Sequence, residues 1–164
     1  MLWPSLGMFS AFKTQTGDAM IAESHLLEML GALTGAEIDG STPPSWFRRV
    51  KDRLHAQFRD NLRVGDLAAE AGVHPVHLAR VFRTQEGQTP GRYVQRLRVR
   101  AACERLRDRD MPLAWVAAGC GFADQSHLTR TFRSLVGVTP GTFRKALLAR
   151  SSVEPSEPGG LTGS

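Results

Sequence analysis

Between Ser45 and Ala149, apolar residues recur at three- and four-residue intervals, the spacing of one helix face, with short breaks at glycine and proline. The expected architecture is all-α. Ser45 is positioned to cap a first helix whose inward stripe is Trp46, Val50, Leu54 and Phe58. The stretch VGDLAAEAG then predicts a short helix with Val64, Leu67, Ala68 and Ala71 turned inward, closed by Gly72 in the left-handed conformation. A further helix starts at once, with His74 at its cap and Pro75 in its first turn, and runs through Leu78, Val81 and Phe82 to Gly87. Two helices joined by a tight glycine turn form the helix-turn-helix pattern.

The pattern occurs twice. HLARVFRTQEGQTPGRY at 77 to 93 returns as HLTRTFRSLVGVTPGTF at 127 to 143, with His, Leu, Arg, Phe, Arg, Gly, Thr, Pro and Gly shared at an offset of fifty. In the second copy Pro112 opens a helix burying Leu113, Val116, Ala117 and Cys120. Gly121 turns the chain, Phe122 enters the core as Val73 does, and a helix capped near Asp124 carries Leu128, Thr131 and Phe132. Each copy ends in Thr-Pro-Gly, at 89 to 91 and 139 to 141, where Thr caps the next helix and Pro fills its first turn.

Residues 92 to 109 join the copies as one linker helix with two stripes. Val94, Leu97 and Ala101 are expected to face the first unit, and Val99, Ala102, Cys103 and Leu106 the second. The boundaries expected are an N-terminal segment 1–44, a first unit 45–91, the linker helix 92–109, a second unit 110–149 and a disordered tail 150–164. The N-terminal segment contains one amphipathic helix, with Ile21, Leu26, Leu27, Leu30 and Leu33 on its apolar face. Residues 19–33 thereby offer either the end of a preceding domain or a surface for a second copy of the chain, a homodimer contact.

Charge sharpens the picture. The 164 residues carry a formal net charge of +5, unevenly spread: nineteen Lys and Arg against nine Asp and Glu in 47 to 149, but one Lys against five acids in 1 to 46. The excess is nearly all arginine, whose planar fork suits phosphate oxygens and guanine edges. An arginine-rich solvated surface would carry the same charge, so charge alone does not decide for nucleic acid. Cys103 and Cys120 lack metal-ligand spacing and are expected as buried, reduced thiols. The sequence shows no membrane-span-length apolar run and no signal peptide pattern, so a cytoplasmic protein is expected. His74 and His77 stand three apart without carboxylate or cysteine partners in a ligand pattern, and the chain has no nucleophile motif or phosphate-cradling glycine loop. Neither an enzyme nor a metal or cofactor site is expected.

From about Phe47 to Leu148 the chain resembles the DNA-binding domain of the AraC/XylS transcription regulators. The stretch PLAWVAAGCGFADQSHLTRTFRSLVGVTPGTFR carries the family's Gly-Phe, Gln-Ser, Arg, Phe, Gly and Pro pattern most fully. The resemblance implies two helix-turn-helix subdomains, homeodomain-like three-helix units joined by a linker helix, bound to double-stranded promoter or operator DNA. It also implies that the second helix of each unit lies in the major groove. By position, Val76, Ala79 and Arg80 in the first unit and Gln125, Ser126, Thr129 and Arg130 in the second would contact bases. Arg83 and Arg133, a turn further on, and Thr89 and Thr139 at helix N-termini would hold phosphates. The family's habit implies an activator, in contact with RNA polymerase.

Some positions depart from the family. His74 stands where Ser or Thr is usual, and Trp115 occupies a commonly acidic, exposed position and is expected to pack. No stretch the size of the family's usual effector domain precedes residue 47, which fits a minimal regulator, a truncated product or a late start equally. The rival reading is a helix-turn-helix protein-interaction module that does not bind specific DNA sequences. Arg, Gln, Ser and Thr at the reading positions argue against it.

Overall fold

The computed structural model describes residues 19–34 and 42–151, and every described element is helical. Residues 1–18 and 35–41 of the N-terminal segment and the tail beyond Ser151 lie outside the described residues. In chain order the helices are α1 (Ala19–Thr34), α2 (Ser45–Gln57), α3 (Val64–Ala71), α4 (Pro75–Glu86), α5 (Pro90–Arg105), α6 (Leu113–Gly119), α7 (Gln125–Val136) and α8 (Pro140–Ser151).

The start signals act mainly through side chains. His74 does serve as a cap, its Nδ1 accepting from the Val76 amide at 3.3 Å. The hydroxyls of Thr89 and Thr139 accept from the Arg92 and Thr142 amides, and Asp124 accepts from the His127 amide at 2.7 Å. Ser45 does not cap α2. Pro44 holds the cap position and Ser45 is the first helical residue, with no side-chain cap bond. Between α3 and α4, Gly72 adopts φ +69°, and its amide and that of Val73 return to Ala69 and Ala68, tying off the helix end.

The helices bury two cores. The first gathers Trp46, Phe47, Val50 and Leu54 of α2, Val64, Leu67 and Ala68 of α3, Leu78, Ala79, Val81 and Phe82 of α4, and Val94 of α5, with Phe58 and Leu97 packed at its margin. The second gathers Val99, Ala102 and Leu106 with Val116, Ala117 and Cys120 of the α6 region, Phe122, and Leu128 and Phe132 of α7. The α5 helix therefore gives one face to each core, as expected for a linker helix, although it spans 90 to 105 rather than 92 to 109. Ala101 packs on the second core, not the first.

Two contacts that the periodicity does not reveal fix the units to each other. Arg98 of α5 is only 4% exposed, and its guanidinium donates to the carbonyls of Phe58, at 2.7 Å, and Asp60, at 3.0 Å. It thereby clamps the loop after α2 onto the linker helix. That loop meets the second unit's turn: at Gly121, φ +82°, a side chain would come within 2.6 Å of the Arg59 carbonyl oxygen. The close approach and the positive φ both require glycine there.

The remaining correction in this region is Trp115. It projects from α6 with 74% of its surface exposed, where packing was expected.

Candidate nucleic-acid interface

The α7 helix turns Leu128, Thr131, Phe132 and the His127 ring into the core, with that ring edge-on to Phe122 at 5.3 Å. The opposite side then carries Gln125, Ser126, Arg130 and Arg133, all exposed, with Thr129 half-buried beside them. The Thr129 hydroxyl donates to the Gln125 carbonyl at 2.8 Å, which leaves its methyl as the apolar part of that face. Below it, Thr139 caps α8, and Gly141 in the first turn has nothing within 4 Å of where a side chain would stand. The second unit thus presents an open surface of guanidinium, amide and hydroxyl groups above a helix N-terminus.

The first unit has the same scaffold but a covered face. The α4 helix directs Leu78, Val81 and Phe82 inward as the periodicity requires, while Ala79, expected outward, is only 4% exposed and belongs to the core. Val76 and Arg80 are half-buried, and Thr89 is only 6% exposed. The cover is α1. Gly31 lies so close to α4 that a side chain there would meet Cγ of Arg80 at 3.0 Å, and Glu28 is ion-paired to Arg83 at 2.7 Å.

The docked face of α1 shares only Leu27 fully with the apolar stripe. Its buried residues are Met20, Ser24, Leu27 and Gly31, whereas Leu26, Leu30 and Leu33 of that stripe are 53%, 42% and 83% exposed. Met20 and Leu27 join the first core, and the rest of the docked face meets arginines and helix N-termini, where small and hydrogen-bonding residues fit. The Glu23 carboxylate accepts from the amides of Val64 and Gly65 at the start of α3, 2.9 Å each, and the Ser24 hydroxyl accepts from the Gly91 amide at 3.1 Å. Sequence reasoning missed Glu23, Ser24 and Glu28. Their only signal was the acidity of the N-terminal segment against a basic remainder.

The described residues offer little else chemically. No three His, Cys, Asp or Glu side chains among them gather as a metal ion would require. Cys103 and Cys120 are free thiols, and burial pushes both up in pKa, holding them protonated at neutral pH. None of the described helices is long and apolar enough to cross a membrane.

Comparison with known proteins agrees with this geometry. Residues 67–146 match the model of a helix-turn-helix domain family. The chain is 43% identical over 60 residues to the HTH-type transcriptional regulator Rv1931c of Mycobacterium tuberculosis, covering 37% of this chain and 23% of that one. It is 32% identical over 70 residues to the probable transcription factor PqrA of Proteus vulgaris, covering 43% of this chain and 57% of that one. The chain thus spans only part of the length of these relatives. Among solved structures, the DNA-binding domain of AdpA, a global transcriptional factor crystallised with a target DNA, superposes with a TM-score of 0.59 at 29% identity, over 70% of this chain and all of that one. An AraC-type regulator from Chromobacterium violaceum shares the fold, with a TM-score of 0.58 at 23% identity over 68% of this chain and 95% of that one. Repeat, fold and relatives converge on a double helix-turn-helix domain similar to those of AraC-type transcriptional regulators.

Proposed function

We propose that this protein binds double-stranded DNA in a sequence-specific manner through two reading helices, α4 and α7, set in successive major-groove segments on one side of the duplex. The observation that carries this reading is the outer face of α7. Arg130, Gln125, Ser126 and Thr129 cluster there with no core role, opposite Leu128 and Phe132. Arg130 has the geometry for guanine O6 and N7, Gln125 for adenine, and the Thr129 methyl for thymine. Arg133, and Thr139 with the amides that follow it, are assigned to phosphates. The first unit repeats the plan with Val76 and Arg80 toward bases and Arg83 and Thr89 toward the backbone, while the core position of Ala79 removes it from the reading face. The AdpA domain crystallised with its target DNA has the same fold, which supports the reading.

The bound site would be asymmetric, because the two reading faces differ, and its halves would lie about one helical turn, 34 Å, apart. By analogy with the family the protein activates transcription in contact with RNA polymerase. The apolar outer face of α1 suits a second copy of the chain.

In vitro selection of duplexes by the full chain, followed by affinity measurement across a salt series, tests the reading. A DNA reader yields an enriched motif bound about 10³-fold or more above random duplex, with affinity falling steeply as salt rises. A protein-docking scaffold yields neither an enriched motif nor a steep salt slope.

A further inference from the structure

The internal repeat supplies its own control. At an offset of fifty, Arg80 corresponds to Arg130, Thr89 to Thr139 and Gly91 to Gly141. Arg130 is exposed where Arg80 is half-buried, and Thr139 is half-buried where Thr89 is only 6% exposed. A side chain at Gly141 would meet nothing within 4 Å, but one at Gly91 would strike the Ile21 backbone of α1 at 2.9 Å. Two units of one design thus differ in what lies over them, and over the first lies α1.

The contacts α1 makes are those a nucleic-acid backbone would need. Adjacent amides at a helix N-terminus bind an anionic oxygen group, and in α3 those of Val64 and Gly65 hold both oxygens of Glu23. The first turn of α5 gives its Gly91 amide to Ser24. Arg83, assigned above to a phosphate, is neutralised by Glu28. The α1 sequence, AMIAESHLLEMLGALT, carries these two acids and no Lys or Arg. We propose that α1 is an autoinhibitory lid: it lies over the DNA-facing surface of the first unit with Glu23 and Glu28 standing in for backbone phosphates, and it must leave before α4 can enter a major groove.

The lid is built to release. Of its apolar side chains only Met20 and Leu27 are buried in the described structure, while Leu26, Met29, Leu30 and Leu33 face outward. Besides Met20 and Leu27, which join the first core, it is held by the charge and hydrogen-bond contacts of Glu23, Ser24 and Glu28, and these occupy the groups that DNA competes for. A duplex binding only the uncovered form has its apparent affinity reduced by the uncovered fraction, so anything that loosens α1 tightens DNA binding. The inference rests on the DNA-binding reading above.

The test uses full-length chain and a selected duplex at fixed salt, comparing wild type with E23Q/E28Q and with S24L. The first variant removes the mimicking charges. The second leaves net charge unchanged and forces bulk into a fully buried position of α1. Both should bind the duplex about ten-fold more tightly, and in wild type the amides of residues 19–34 should exchange hydrogen faster once duplex is added. A gain confined to E23Q/E28Q would reflect simple charge removal and would overturn the lid, as would unchanged or weaker binding by folded variants. If S24L folds poorly, exchange in wild type decides: α1 remaining protected while both DNA segments are footprinted overturns the lid and leaves the DNA reading intact. Failure of every variant to bind any selected duplex overturns both.

Discussion

Arg130 and Arg133 lie three residues apart on α7, both exposed, yet the proposed interface gives them different tasks. In that proposal Arg130 belongs to the face turned to base edges, and Arg133, nearer the helix C-terminus, to the part turned to the backbone. Replacing Arg130 by alanine should cost about 1 to 3 kcal/mol on the preferred duplex and relax selection at one base pair, whereas Arg133→Ala should weaken all duplexes alike and flatten the salt dependence. Binding to a panel of single-position duplex variants checks the distinction. Equal loss on every duplex for Arg130→Ala would remove its base-reading role.

The elements show where physical legibility in the sequence ends. The helices of both units, their turns and most of their caps could be read because each leaves a local mark: a three-to-four spacing, a glycine at positive φ, or Thr and Asp ahead of a first turn. Phe132 is the clearest case, expected inward and found fully buried. Phe132→Ala should lower stability by about 3 to 5 kcal/mol in chemical denaturation, with the loss centred on the second core. Long-range polar contacts leave no such mark. Arg98 reads as one more cation in an arginine-rich helix, yet it holds two carbonyls of a loop forty residues earlier. Arg98→Leu should strand those carbonyls and destabilise the protein by about 1.5 to 3 kcal/mol, read from its melting transition, whereas exposed Arg96→Leu should change it little. For α1 the periodicity predicts the helix but not the face that docks on the chain. Leu26, Leu30 and Leu33 of its apolar stripe stay exposed, because besides Met20 and Leu27 the helix is held by the carboxylates of Glu23 and Glu28, the Ser24 hydroxyl and the close approach at Gly31, features without a repeating period.

At the scale of the whole molecule, the proposed function depends on two reading helices held in fixed register. The α5 helix gives a face to each core, and the clamp of Arg98 on the Phe58–Asp60 loop, with that loop seated against Gly121, couples the units a second time. Rigid coupling makes the second contact nearly intramolecular once the first has formed, an advantage a flexible tether would largely lose. It also makes binding depend on the rotational phase of the two half-sites. Affinity for the selected duplex should therefore be compared with affinity for the same duplex lengthened between its halves by about five base pairs, half a helical turn. Fixed register predicts that the insertion removes most of the specific affinity, by about ten-fold or more, and that about ten inserted base pairs fail to restore it because the linker helix cannot stretch. Equal affinity for the original and lengthened duplexes would contradict a rigid two-helix reader.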